Sequence, residues 1–212
     1  MAQAHPSNEQ LAAYASGALS EGMNLLVASH LTYCAECREK VAQFEVVGAS
    51  ALTEQDIAND IRPPSLDAAF AALDAPATES RIVPDPGTPL PFPIRAEVGA
   101  KVDDLKWKFR LPGLHECELE GFDGEQVSLL RAKPGTRILH HTHEGDEATL
   151  ILTGQMEDDG IVYGVGDVAI ADHNDNHRPQ IVGDEVCYCL IVMSGSMRFT
   201  GPVGRALNIL SR

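Results

Sequence analysis

Apolar positions in the first 74 residues recur at helical spacing, whereas beyond about residue 94 they fall in short strand-length runs between glycines. Ser7-x-x-Gln10 reads as a capping box opening a helix that buries Leu11, Tyr14, Ala15 and Ala18. Ser20 is placed to cap a second helix with Met23, Leu26, Val27, His30, Leu31 and Cys34 on one face. A third helix is expected from Ala35 to Leu52, with Val41, Phe44 and Val47 inward. After Pro63-Pro64, a short helix from Ser65 carries Leu66, Ala69, Phe70 and Leu73 on one side. A helix of about ten residues is marginal alone, so it must pack on its own domain or on a partner.

The second half changes period. Leu105, Trp107 and Phe109 alternate with lysines, as in a half-buried strand. Val127–Ala132, Ala148–Leu152, Ile161–Tyr163, Val168–Ala171 and Val186–Met193 follow, separated by Gly, Asp or Pro turns. Many short strands at near-regular spacing predict an antiparallel sandwich or barrel. Between the halves, Pro76, Pro84, Pro86, Pro89, Pro91 and Pro93 crowd into 18 residues. Proline at that density argues against a helix or a central strand and predicts a semi-extended linker. The expected organisation is α + β in two domains: helical residues 1–74, a linker over 75–93, and a β domain over 94–212.

Composition narrows the function. The chain of 212 residues is 44% hydrophobic, enough for a sizeable core. It has no apolar run near the ~18 residues of a membrane span. Its start, MAQAHPSNEQ, has neither a basic nor an apolar signal region, so a cytoplasmic protein without membrane association is expected. A net charge of -15 works against direct binding of nucleic acid. The acidity is shared, with a net -7 on residues 1–74 and another -7 on residues 94–212. Five cysteines, an odd number, point to metal or redox chemistry rather than a disulfide framework.

His30-x3-Cys34-x2-Cys37 is the strongest motif of the first half. Positions i and i+4 share a helix face, and Cys37 follows three residues on. Two thiolates and an imidazole suit zinc, whose fourth ligand would be His5, the only other His or Cys of this domain. The alternative is a buried histidine and two small cysteines that only pack. A thioredoxin-like redox pair fits less well, since no βαβ pattern surrounds it.

In the second half, Gly135-x5-His141-x-His143-x3-Glu147-x6-Gly154 is followed by Gly166-x10-His177. This pair resembles the two signature motifs of the cupin superfamily, which implies a double-stranded antiparallel barrel, or jelly roll. His141, His143, Glu147 and His177 would hold a divalent metal, with zinc preferred over iron, manganese or nickel. The second motif departs from the cupin pattern at Asp172, Asn174 and Ile181; Asn174 still tolerates a left-handed turn. His115 and His173 are expected at the surface, His140 on the face opposite the motif, and Cys117 carries no role. Cys187 and Cys189 share one face of a strand. They read as small hydrophobes of the barrel wall, with a redox role near the metal as the alternative.

The combination decides more than either motif. His-x24-His-x3-Cys-x2-Cys, then a linker and a cupin, resembles the ChrR family of zinc anti-sigma factors over nearly the whole chain. The resemblance extends through LAAYASGALSEGMNLLVASHLTYCAECR, the DLKWK entry, the GDVAIAD turn and the CYCL strand. It implies that residues 1–74 clamp an extracytoplasmic-function sigma factor, with His5, His30, Cys34 and Cys37 as zinc ligands. The helix carrying Leu66, Phe70 and Leu73 would lie in a groove on that partner. It also implies a cupin needed for release of sigma under oxidative stress, of singlet-oxygen or peroxide type. An acidic chain would be steered to a basic sigma factor. The protein is then not an enzyme. The rival readings are a metal-dependent cupin dioxygenase or isomerase with a helical appendage, and a ligand-binding cupin module. No second acid/base pair or arginine set declares itself for the enzyme.

Overall fold

The structure, a computed structural model, describes residues 2–54, 65–67, 70–71, 87–99 and 101–200. Three helices come first: α1 (Asn8–Ala15), α2 (Glu21–Tyr33) and α3 (Ala35–Glu54). The capping box forms, with Ser7 Oγ accepting from the Gln10 amide at 3.2 Å and Gln10 Oε1 accepting from the Ser7 amide at 2.8 Å. Leu11, Val27 and Val41 meet in the core of this bundle, with Phe44 packed at its side. Val47 does not turn inward as expected: it is 68% exposed, and Val46 beside it is 66% exposed. The short α1 lies along the first half of α3, and among the described residues nothing covers the second half.

Ser20 does begin α2, but its hydroxyl does not cap it. It donates to Glu125 Oε1 at 2.6 Å, and Glu125 Oε2 accepts the Gly22 amide at 2.9 Å. A carboxylate from the distant β domain thus satisfies the helix N-terminus, where negative charge is favoured. The proline-rich stretch also ends differently from expectation. Phe92–Val98 is a helix, α4, with Pro91 at its N-cap and Pro93 in its first turn. Proline is tolerated there because the first-turn amides have no intrahelical partner anyway.

Eleven strands follow among the described residues. They are β1 (Lys108–Leu111), β2 (Leu114–Leu119), β3 (Gln126–Ala132), β4 (His141–His143), β5 (Glu147–Thr153), β6 (Gln155–Asp158), β7 (Ile161–Tyr163), β8 (Val168–Ala171), β9 (Gln180–Val182), β10 (Cys187–Met193) and β11 (Met197–Phe199). One antiparallel sheet runs β1-β2-β3-β10-β5-β8; smaller sheets β7-β6-β9 and β11-β4 belong to the opposite wall. Bridges His141↔His177 and Arg137↔Gln180 join that wall along its length. Leu105 and Trp107 precede β1 instead of belonging to it, since the indole Nε1 donates to the Val102 carbonyl at 2.9 Å and closes a turn.

The large sheet is buried on both faces, which explains near-continuous apolar strands such as Ala148–Leu152. Leu130, Ile151, Ala169, Cys187 and Cys189 point into the barrel with Met156 and Ile181 of the opposite wall. Val127, Leu129, Leu150, Leu190 and Val192 point outward against Leu25 and Leu26 of α2 and Ile94 of α4. The approach is close: a Cβ on Gly22 would stand 2.7 Å from Val127 Cγ2 and 3.0 Å from Val192 Cγ1. α2 and α4 therefore share a hydrophobic core with the outer face of the large sheet.

Candidate metal centres

The first cluster lies where the chain segment before α1 meets the α2–α3 junction. His30 is in the last turn of α2, Cys34 is its C-cap in an extended conformation, and Cys37 is in the first turn of α3. One ligand atom each from His5, His30, Cys34 and Cys37 falls within 4.8 Å of the others. His5 Nδ1 lies 3.5 Å from both thiol sulfurs, and the Cys37 amide donates to Cys34 Sγ at 3.4 Å. His30 Nδ1 lies 2.7 Å from the Gly166 carbonyl oxygen, which can only accept. The proton must sit on Nδ1, leaving Nε2 with a bare lone pair. That Nε2 is buried without a hydrogen-bond partner.

An orphaned imidazole nitrogen beside two buried thiols is costly unless a cation takes the lone pair. Burial and the neighbouring Cys34 push the Cys37 thiol up to about 12. Burial likewise lowers His30, against the Gly166 hydrogen bond. The donor set fits a tetrahedral N2S2 ion.

The second cluster lies inside the barrel. His141 and His143 come from β4, Glu147 opens β5, and His177 is bridged to His141 by backbone bonds of 3.2 and 3.1 Å. Strand alternation turns both β4 histidines the same way, and all four side chains are buried. Their ligand atoms also lie within 4.8 Å of one another. Two rings are oriented from behind: His141 Nδ1 by the Leu139 carbonyl at 2.7 Å, and His177 Nδ1 by Asp158 Oδ2 at 2.6 Å. His143 Nε2 is 2.9 Å from His177 Nε2 and 3.6 Å from Glu147 Oε2. Two bare nitrogen lone pairs at that separation repel unless a proton or a cation lies between them. Thr149 donates to Glu147 Oε1 at 3.2 Å.

Burial pulls His141 down to about 4 and raises Glu147. Burial also pulls on His177, but the Asp158 hydrogen bond and charge, with Glu147, outweigh it and hold His177 above its usual value. Three imidazoles and one carboxylate fit a divalent metal, and the outer partners hold them as ligands are held in metal sites.

Both expected ligand sets are thus brought together. Asp158 was not legible, since one carboxylate in the run Glu157-Asp158-Asp159-Gly160 looks like any other turn acid. Cys187 and Cys189 lie outside the four-residue cluster as buried wall residues. The Cys187 hydrogen bond and burial raise the Cys189 thiol, which favours the unreactive protonated form. His140 and His173 are exposed and His115 is half-buried. Asn174 does not use a left-handed turn, since Asp159 is the one non-glycine residue with positive φ among those described. Asp172 and Asp175 hold that loop instead: Asp172 Oδ1 accepts the Asn174 amide, and Asp175 Oδ2 accepts the Asp172 amide, each at 2.7 Å. A proline at 172 could not make the second bond. Leu66 and Phe70 are 75% and 61% exposed, and Leu73 lies outside the described residues. No helix among the described residues is long and apolar enough to cross a membrane.

A helical His2Cys2 unit seated on a cupin barrel with an internal His3Glu cluster is a defined class of two-domain protein. Residues 95–197 match the ChrR cupin-like domain. The chain is 34% identical over 200 residues to the anti-sigma-E factor ChrR of Cereibacter sphaeroides, covering 92% of this chain and 91% of that one. The chain belongs to the ChrR family. In three dimensions it is similar to the crystal structure of Rhodobacter sphaeroides SigE in complex with the anti-sigma ChrR. The TM-score is 0.79 at 32% identity, over 91% of this chain and all (100%) of that one. An RmlC-like cupin protein of Ralstonia eutropha aligns with 52% of this chain and 85% of its own, at 18% identity and TM-score 0.42.

Proposed function

We propose that this protein is a cytoplasmic anti-sigma factor that sequesters an extracytoplasmic-function sigma factor and releases it under oxidative stress. The observation that carries the reading is the full-length likeness to ChrR with both ligand sets complete. In this reading residues 1–74 are the inhibitory domain, 75–93 a linker and 94–212 the cupin. Zinc is held by His5, His30, Cys34 and Cys37; two thiolates neutralise it, so it can sit in a small helical core. The exposed Val46 and Val47 of α3, with Leu66 and Phe70, supply unpartnered apolar surface for sigma, and Leu73 extends that set. A net charge of -15 favours a basic partner over DNA itself.

The cupin is the signal receiver, with zinc or another divalent ion on His141, His143, Glu147 and His177. When bound, that ion supplies a Lewis-acidic point at which an oxidant can alter the ligand set. The chain's own part is to orient the rings through Leu139 and Asp158 and to exclude bulk water. Cys187 and Cys189, both buried, are a second oxidisable pair on the barrel wall. Co-expression with each extracytoplasmic-function sigma factor of the source organism tests the reading. One of them is expected to co-purify and to lose transcription in vitro; failure of every one to bind the metal-loaded chain would overturn it.

A further inference from the structure

The helical cluster is not built by the helical residues alone. The Gly166–Asp167 turn, between β7 and β8 of the barrel, reaches two of its four ligands. The Gly166 carbonyl fixes the His30 tautomer at 2.7 Å. Asp167 Oδ1 accepts the amides of Gln3 and Ala4, and the Val168 amide donates to the Ala4 carbonyl at 3.0 Å. Ala4 is the residue before His5, so these bonds set the course of the segment that delivers that ligand. The turn in turn is locked to β5, with the Gly166 amide donating to the Ile151 carbonyl at 2.8 Å and the Ile151 amide to the Asp167 carbonyl at 3.0 Å. Asp167 is 6% exposed, and its Oδ2 accepts the Gly164 amide at 2.7 Å. At Gly166 φ is +89°, and a Cβ would stand 2.7 Å from Tyr33 Cβ, so α2 leaves no room for a side chain there.

We infer that the Gly166–Asp167 turn is an outer-sphere part of the helical metal centre, positioning His5 and His30 so that the divalent ion is held more tightly while the barrel turn is in place. The same segment continues through β8, paired to Glu147 at Ala171, and ends at His177, so one short stretch of backbone touches both clusters. Gly166 and Asp167 are positioning residues; neither donates a ligand. The inference rests on the reading that the four helical residues bind a metal.

Cobalt(II) in the full-length chain separates the two ideas, because only the helical cluster contains thiols and only it gives a thiolate-to-cobalt charge-transfer band. Asp167→Asn replaces one carboxylate oxygen by an amide NH2, which sets a donor against either the Gln3 and Ala4 amides or the Gly164 amide that holds the turn, with little change of shape. Chelator competition is expected to find the band's cobalt held about 10- to 100-fold less tightly than in the wild type. Thr153→Val, on the same strand as Ile151, removes hydroxyl bonds to the Val186 carbonyl and Tyr188 amide and should stay within about 2-fold, as lost outer-sphere contacts alone cause the larger loss. Imidazole 15N NMR of the wild-type chain should show His30 protonated at Nδ1 and metal-bound at Nε2, a readout independent of how the variant folds. Equal affinity in Asp167→Asn, or the opposite His30 tautomer, overturns the inference and leaves the metal reading standing. A wild-type chain with no charge-transfer band overturns both.

Discussion

Leu26 sits on α2 with no exposed surface, in the layer joining that helix to β3, β5 and β10. Replacing it with alanine removes three carbons from a site bounded by Val127, Leu129, Leu150, Leu190 and Val192, none of which can collapse freely within an antiparallel ladder. A Leu→Ala change in such a place costs roughly 2–5 kcal/mol. A central loss of about 3 kcal/mol, at about 2–4 °C per kcal/mol for a chain of this size, lowers Tm by roughly 6–12 °C. Because α2 and α4 share a core with the large sheet, the helices should unfold with the barrel.

Two probes of the metal-saturated, full-length chain can be followed together. Circular dichroism at 222 nm reports the helices, and the fluorescence of the sole tryptophan, Trp107, packed against Tyr188 with ring centroids 6.0 Å apart, reports the barrel. Both signals should fall in one transition, in the wild type and in Leu26→Ala, with the variant shifted as above. An early helical transition that leaves the fluorescence untouched would refute the shared core. So would a Leu26→Ala chain whose fluorescence midpoint moves by less than about 1 °C, against the cost expected for a buried leucine.

Other outcomes follow from the two clusters and the exposed faces. Asp158→Asn should weaken metal binding in the barrel about 10- to 100-fold, measured by chelator competition on the second cobalt(II) of the full-length chain, the one that gives no thiolate charge-transfer band, since His177 loses the partner that orients it. The Cys37 thiol is pushed up to about 12, so below that pH the entering ion must displace its proton. Zinc affinity at the helical site should therefore rise with pH by about one log unit per pH unit for each proton displaced, checked by competition titrations between pH 6 and 8. Leu66→Ala with Phe70→Ala should cost about 1–4 kcal/mol of sigma binding by calorimetry while leaving Tm unchanged, since both side chains are exposed in the free chain. Glu147→Ala should abolish derepression by singlet oxygen in a reporter strain without raising basal transcription.

Both four-residue clusters were legible because metal chemistry would impose their spacing. A helix face joins His30 to Cys34, and His-x-His puts two rings on one side of a strand. Val127–Ala132, Ala148–Leu152, Ile161–Tyr163, Val168–Ala171 and Val186–Met193 were legible because composition and turn residues bound them, whereas the short Gln155–Asp158 and Gln180–Val182 were not. What the sequence hid is long-range. Glu125 caps α2 from about a hundred residues away, and Asp158 and Asp167 are ordinary acids until the fold brings His177 and the His5 segment to them. Val47 fell on the predicted inward stripe, yet no element among the described residues reaches it. Pro91 and Pro93 read as helix breakers, but at an N-cap and in a first turn they begin one.

The affinity of the full-length chain for its sigma factor, compared between wild type, Cys34→Ala and Glu147→Ala, tests the zinc-clamp reading most directly. A structural N2S2 zinc contributes on the order of 10 kcal/mol of apparent binding energy to the fold around it. Cys34→Ala is therefore expected to lose sigma binding together with its helical metal, while Glu147→Ala retains wild-type affinity. Near-normal binding by Cys34→Ala would contradict the account.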